Sequence, residues 1–183
     1  MIKECLKTYL DKYFECYKNN MGTYPTVPYD EDEKSALWYG EADEEDYIQW
    51  MYKEKDKQTK FSDLEDELDL VLPDAAKEFY NSYYFLQLQG FYHEESVRFD
   101  NISDCKDILQ DLKNCIFDMK EKKYLHMGIY SNMDLALCME IDTGAIVWAD
   151  YDCKNAEKIA DSLEEFLDNL TPMKQIVYDA QNK

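Results

Sequence analysis

The run Asp142-Thr143-Gly144-Ala145 matches the active-site loop of aspartic proteases, so Asp142 is the first candidate for catalysis. Such a protease needs two aspartates that share one proton, supplied by two similar lobes or two subunits. The chain has one run of this kind and four predicted helices, too many for a small all-β lobe. A hairpin turn explains the run better, because the strand-like LALCMEI and AIVWADY are separated only by Asp, Thr and Gly. We predict a hairpin over residues 135–151 with Gly144 at a positive φ.

Other motifs for catalysis or metal binding are incomplete. His93-Glu94-Glu95 begins like the zinc motif H-E-x-x-H, but Val97 stands where the second histidine is needed. His126 is the only other histidine, so a histidine-rich metal site is not expected. The acidic run from Asp30 to Glu33 lacks the glycine and terminal glutamate of a calcium loop. A cysteine–histidine nucleophile pair stays open, since such partners meet only in the fold. We expect no catalytic residue, no metal site and no cofactor.

The charge of the chain indicates the kind of partner. Forty acids against twenty bases give a net charge of −20. Such a protein repels nucleic acids and anionic lipid headgroups and attracts basic partners. The alternative is that the acidity only keeps the protein soluble. Nineteen of the bases are lysines and one is Arg98, which excludes a phosphate clamp made of several arginines.

The acids are concentrated in two places. Residues 30–46 contain nine acids and one base, Lys34, a local net charge of −8, and four more acids lie between residues 140 and 152 with no base among them. We predict that both groups contact a basic partner, with neighbouring aromatic residues adding contact area. The alternative is that Trp50 is a core residue and the acids only solvate loops. The candidate partner-binding residues are Asp43, Glu44, Glu45, Asp46, Tyr47, Trp50, Glu140, Asp142, Asp150 and Asp152.

Length and composition favour one globular unit. We predict a single domain over residues 1–172 and a polar tail over 173–183, since 45% apolar residues are ample for a core. No apolar run approaches the ~18 residues of a membrane span, and charges interrupt the N-terminal segment, which disfavours a signal peptide. We expect a cytoplasmic protein without direct membrane insertion, in which the six cysteines are reduced.

The hydrophobic pattern predicts the elements that would position these residues. A helix over residues 2–17 is followed by short strands. One of them, at 47–52, is largely apolar on both faces and is therefore predicted to be covered on both faces. Further helices are predicted for 73–85, from a cap at Ser103 through Met119, and over 155–170, with strands between them. Because adjacent strands are joined by short turns, the fold class is α+β, a mostly antiparallel sheet with helices packed on it.

Three stretches resemble the bacterial Syd family in order and spacing. CLKTYLDKYFECYKNNMGTYP is similar to the opening helix of that family. LDLVLPDAAKEFYNSYYF is similar to the segment ahead of its middle strands and to the broader SUKH superfamily. LALCMEIDTGAIVWAD followed by IADSLEEFLDNLTPM resembles the closing hairpin and C-terminal helix. The resemblance runs from about Leu6 to Pro172.

The resemblance implies a cytosolic, non-enzymatic SUKH/Syd-like protein that binds another protein. Many SUKH members are immunity proteins, and the first expectation is an antitoxin that neutralises a bacterial polymorphic toxin, with nucleases as candidates, through an acidic surface. The alternative is a Syd-like regulator that binds the basic cytosolic loops of the SecY translocation channel and lies peripherally at the inner membrane. A charge of −20 fits both partners, since nuclease clefts and cytosolic channel loops are both basic. The chain alone is expected to be a monomer.

Overall fold

The computed structural model describes residues 1–131, 135–152 and 154–172, so the predicted tail over 173–183 lies outside the described residues. The helices are α1 (Ile2–Met21), α2 (Ser62–Leu68), α3 (Asp74–Tyr80), α4 (Ile108–Cys115) and α5 (Leu163–Asp168). The strands are β1 (Thr26–Pro28), β2 (Trp38–Tyr39), β3 (Tyr47–Trp50), β4 (Lys53–Glu54), β5 (Tyr83–Tyr84), β6 (Gln89–Tyr92), β7 (Glu95–Phe99), β8 (Ile116–Met119), β9 (Lys122–Tyr130), β10 (Leu135–Glu140), β11 (Ile146–Asp150), β12 (Ala156–Ala160) and β13 (Leu170–Thr171). Within the described ranges, no helix has the length and apolar character to cross a bilayer.

The strands form one large antiparallel sheet and two small ones, which confirms the predicted α+β class. The large sheet has the order β12-β11-β10-β9-β7-β6-β13, while β1-β3-β2 and β4-β5 are separate. One edge of β9 carries two strands in succession, with β8 along Lys122–Leu125 and β7 along Gly128–Tyr130. Gly128 permits this arrangement, because a Cβ there would lie 2.1 Å from the carbonyl oxygen of Arg98. The two strands leave a split in the sheet beside His126 and Met127.

Helix α1 covers the sheet with the apolar face that the sequence predicts. Its residues at spacings of three and four, from Ile2 to Phe14, are buried. Gly22 ends the helix at a φ of 71°, where its N–H donates to the carbonyl of Lys18. The Tyr9 hydroxyl donates to the carbonyl of Gln89 at 2.8 Å, which ties the helix to β6.

The predicted closing hairpin is confirmed. β10 pairs antiparallel with β11, and Gly144 has a φ of 73°. The loop is one residue longer than expected, because Glu140 pairs with Ala145: the N–H of Glu140 donates to Ala145 O at 2.9 Å, and the N–H of Gly144 donates to Glu140 O at 2.8 Å. Ile141 therefore belongs to the loop, where its side chain is buried.

Three predicted helices are wrong over part of their length. The helix predicted for 73–85 ends at Tyr80, and Tyr83–Tyr84 form β5, which pairs with β4. In the segment 155–170, residues Ala156–Ala160 form β12, and the helix begins only after Ser162, whose hydroxyl accepts from the N–H of Glu165 at 3.1 Å. In the segment 103–119, the helix is capped by Asp107 instead of Ser103 and ends at Cys115, after which β8 begins. All three stretches have helix-compatible spacing, but a strand beside each of them pairs with its backbone, and this pairing overrides a weak local preference.

Candidate functional site

The small sheet β1-β3-β2 has one buried face and one exposed face. On β3, Ile48 and Trp50 point into the core, while Tyr47 on the opposite face is 42% exposed. The prediction that this strand is covered on both faces is therefore wrong. Trp50 is fully buried and packs edge-on against Phe14 at 4.9 Å between ring centroids. It supports the surface from beneath and is a core residue, as the alternative interpretation held.

Two further tyrosines of this sheet are exposed and are held in place by neighbouring rings. Tyr29 and Tyr39 are 36% and 52% exposed. The ring of Tyr39 meets Tyr24 edge-on at 5.2 Å, and Tyr29 lies 5.1 Å from Trp38. Rigid aromatic side chains of this kind provide contact area at a low entropic cost.

Nine acids lie on two loops that adjoin Tyr29, Tyr39 and Tyr47 in the chain. The loops, residues 30–33 and 41–46, leave the same end of the sheet, since the N–H of Tyr29 donates to Asp46 O at 2.8 Å. All nine side chains are exposed. Within the described parts of the chain, none of them forms an ion pair with a lysine. We call this region the acidic tyrosine surface; it consists of Asp30, Glu31, Asp32, Glu33, Glu41, Asp43, Glu44, Glu45, Asp46, Tyr29, Tyr39 and Tyr47.

Hydrogen bonds within and beyond the loops fix their backbone. Asp43 Oδ1 accepts from the N–H groups of Glu45 and Tyr47 at 3.0 and 2.9 Å. The segment after the first loop is anchored by Asp104, whose carboxylate accepts from Ser35 Oγ at 2.5 Å and from the N–H of Ala36 at 2.7 Å. Asp104 could not be predicted from the sequence, because no local pattern connects it with Ser35, 69 residues away.

The four acids of the closing hairpin do not form one face. Glu140 and Asp142 lie at the turn, whereas Asp150 pairs with Leu135 at the opposite end of the strands. About four residues of β11 separate the two ends, roughly 13 Å at the rise of a strand. The four acids are therefore divided between the two ends of the hairpin, because an extended strand holds its ends apart.

The hairpin acids also find partners outside their own segment. Glu140, which is only 8% exposed, forms an ion pair with Lys122 at 2.9 Å. Asp150 accepts from the backbone N–H of Lys154 at 2.7 Å and from Asn155 Nδ2 at 2.8 Å, and these bonds lower the pKa of its carboxyl. Asp152 pairs with Lys154 Nζ at 2.9 Å. The acidic tyrosine surface is therefore the stronger candidate for binding a basic partner.

Comparison with known proteins identifies the family. A family model described as Syd protein (SUKH-2) matches residues 3–172. The chain belongs to the Syd family. Among its relatives, Protein Syd of Shewanella frigidimarina is 26% identical over 92% of this chain and 81% of its own length. Protein Syd of Shewanella pealeana is 24% identical over 91% of this chain and 81% of its own length. These matches confirm the resemblance seen in the sequence.

This Syd-family chain also brings together three residues that the sequence did not connect. Asp100 Oδ2 lies 2.8 Å from Nδ1 of His126, and Cys115 lies beside them. Hydrogen bonds with Asp100 and then Cys115 raise the pKa of His126 to about 9. The three residues come from the end of β7, the end of α4 and the middle of β9, so no local spacing could have revealed them.

Proposed function

We propose that this Syd-family protein is non-enzymatic and binds a basic protein partner through the acidic tyrosine surface. The observation that carries the proposal is the surface itself: exposed carboxylates without lysine partners among the described residues, around three exposed tyrosines. Carboxylates that no lysine neutralises project their field into solvent, which attracts and orients a cationic partner. Tyrosines beside them contribute the contact area on which binding energy depends.

The first proposed partner is the set of basic cytosolic loops of the SecY channel. Membership of the Syd family supports this partner, because the family resemblance implies binding to SecY. Cytosolic loops of membrane proteins carry an excess of lysine and arginine, which complements the local charge of residues 30–46. In this role the protein is cytoplasmic, monomeric when alone and peripheral at the inner membrane when bound, without affinity for nucleic acid.

The second proposed partner is a toxin, which the protein would neutralise as an immunity protein. The SUKH-2 description of the family supports this role. A nuclease active site is a positive cleft that holds phosphates, and crowded carboxylates on two adjacent loops can occupy such a cleft. Long-range attraction would also speed the capture of an incoming toxin.

Charge reversal tests the surface against purified SecY in detergent or nanodiscs. The test variant changes Glu31, Glu33, Glu44 and Glu45 to Lys, which leaves the turn-forming Asp30 and Asp43 intact. A matched control changes four exposed acids outside the surface to Lys: Glu15, Asp66, Glu94 and Glu157. Both variants change the net charge equally. We expect the test variant to bind at least about tenfold more weakly in biolayer interferometry, and high salt to weaken wild-type binding.

Two results would contradict this proposal. If the control binds SecY as weakly as the test variant, binding depends on the net charge of the protein and not on the acidic tyrosine surface. If wild-type protein shows no binding to SecY at low salt, the channel is not the partner. Co-expression with a toxin encoded beside the gene then tests the second partner: wild type and control should protect cells, and the test variant should not.

A further inference from the structure

The split in the large sheet brings three potential metal ligands together. Ile116 pairs with Leu125, so the preceding residue, Cys115, lies opposite His126. On the other side of the split, Asp100 follows the last residue of β7, and its N–H donates to Met127 O at 2.9 Å. The termination of two strands at the same edge of β9 thus places a carboxylate and a thiol on either side of one imidazole.

The donor atoms are already close enough to share an ion. One ligand atom from each of the three residues lies within 4.8 Å of the others, and the Asp100 Oδ2 to His126 Nδ1 distance is 2.8 Å. Four-coordinate Zn²⁺ has bonds of about 2.0–2.3 Å, which sets its ligand atoms roughly 3.5 Å apart. Only small side-chain movements separate the observed arrangement from this geometry.

The three ligand types select a class of ion. Thiolate, imidazole and carboxylate are the donors that Zn²⁺ accepts, whereas Mg²⁺ and Ca²⁺ prefer oxygen alone. This site departs from the expectation that the chain has no metal site, which rested on the absence of a histidine-rich motif. Ligands from three separate elements leave no such motif in the sequence.

The site is open to solvent on two sides. Cys115 lines a cleft of about 500 Å³ together with Asp100 and Arg98, and a second cleft of about 250 Å³ together with His126 and Phe117. An ion therefore has an entry path, and a fourth coordination position can be filled from a cleft.

We propose that Asp100, Cys115 and His126 form a binding site for Zn²⁺ or a chemically similar divalent ion. The site lies outside the acidic tyrosine surface and does not depend on the partner proposed for that surface. A bound ion joins the end of β7, the end of α4 and the middle of β9. It also restrains the segment that leads from Asp100 to Asp104, the residue that anchors the loop after the first acidic run.

Cobalt(II) alone is the probe, because its complexes report a thiolate ligand directly. Titration of the reduced full chain should give a thiolate-to-cobalt charge-transfer band and the visible bands of a tetrahedral ion, saturating at one equivalent. Zn²⁺ should displace cobalt and raise the Tm. Cys115→Ser should abolish the charge-transfer band, while Cys105→Ser, at an exposed cysteine elsewhere, should keep it. The acidic loops cannot produce this band, since they contain no thiol.

Asp100→Asn keeps the test decisive if Cys115→Ser disturbs folding. The Asp100 side chain is 48% exposed, so we expect a native circular dichroism spectrum and cobalt affinity lower by about tenfold or more. The proposal is overturned if wild-type protein gives no charge-transfer band. It is also overturned if a folded Cys115→Ser variant keeps the band, or if Asp100→Asn binds cobalt as tightly as wild type.

Discussion

The acidic tyrosine surface and the closing hairpin have the same signature in the sequence but opposite roles in the fold. Both are runs of acids with almost no base. In the structure, the carboxylates of the surface are exposed and, among the described residues, pair with no lysine, whereas Glu140 and Asp152 of the hairpin pair with Lys122 and Lys154. A run of acids thus fixes the local charge, while lysines brought from other segments decide whether that charge is available to a partner.

The largest expected effect tests whether β3 separates a core face from a binding face. Trp50→Ala should lower the free energy of unfolding by about 4 kcal/mol, because it empties the space of a fully buried indole. Tyr47→Ala, on the exposed face of the same strand, should change stability by less than about 1 kcal/mol and weaken partner binding instead. Urea unfolding and binding assays on both variants measure this. A Trp50→Ala protein of native stability that no longer binds would make Trp50 a contact residue.

The next largest change in stability tests backbone strain at one positive-φ residue in each region, Gly144 and Asp46. Gly144→Val should cost about 2 kcal/mol, because a β-branched residue is forced to a φ of 73° in the hairpin loop. Asp46 in the acidic loop already has a φ of 57°, so Asp46→Gly relieves strain while it loosens the unfolded chain. The free energy of unfolding of Asp46→Gly should therefore stay within about 0.5 kcal/mol of wild type. Thermal unfolding of both variants is the measurement, and a large loss in Asp46→Gly would assign that aspartate a structural role.

Neutralising acids should change the free energy of unfolding in opposite directions in the two regions. Replacing Glu31, Glu33, Glu44 and Glu45 by Gln should raise stability by about 0.5–1 kcal/mol at low salt, because these carboxylates repel one another. Glu140→Gln should lower stability by about 1 kcal/mol, because it removes the charge that faces Lys122. Denaturation at two salt concentrations measures both changes, and added salt should reduce the gain at the exposed acids more than the loss at the partly buried Glu140. If both sets of substitutions change stability in the same direction, the distinction between paired and unpaired acids is wrong.

The parts of the fold that the sequence predicts correctly are those determined locally. Helix α1 has both a complete apolar face and a glycine that ends it, and the hairpin has two alternating runs joined by a glycine turn. The spacing of β8 and β12 predicts helix, although it permits either structure. Pairing with β9 and β11, the strands next to them in the chain, decides in favour of strand.

The candidate site divides in the same way. Its acids and Tyr47 are visible in the composition, because charge and aromatic content are local properties. Burial of Trp50, the anchor at Asp104 and the ion pair of Glu140 with Lys122 depend on contacts between distant segments. The meeting of Asp100, Cys115 and His126 depends on where two strands end along β9, which no pattern in the sequence encodes.

The smallest expected change in stability distinguishes Asp150 from Asp152, at the end of the hairpin away from its turn. The backbone N–H of Lys154 and then the Asn155 amide lower the pKa of Asp150 below its ordinary value of 3.8. Because the folded pKa is the lower one, these bonds stabilise the fold above the unfolded pKa, and the stabilisation is lost as the pH falls through the folded pKa. Asp150→Ala should therefore be less stable than wild type at pH 6, with a difference that shrinks on acidification below pH 3.8.

Asp152→Ala, which loses only an exposed pair with Lys154, should show a smaller difference at pH 6. Equal losses in the two variants, unchanged between the two pH values, would mean that the backbone contacts of Asp150 do not depend on its charge.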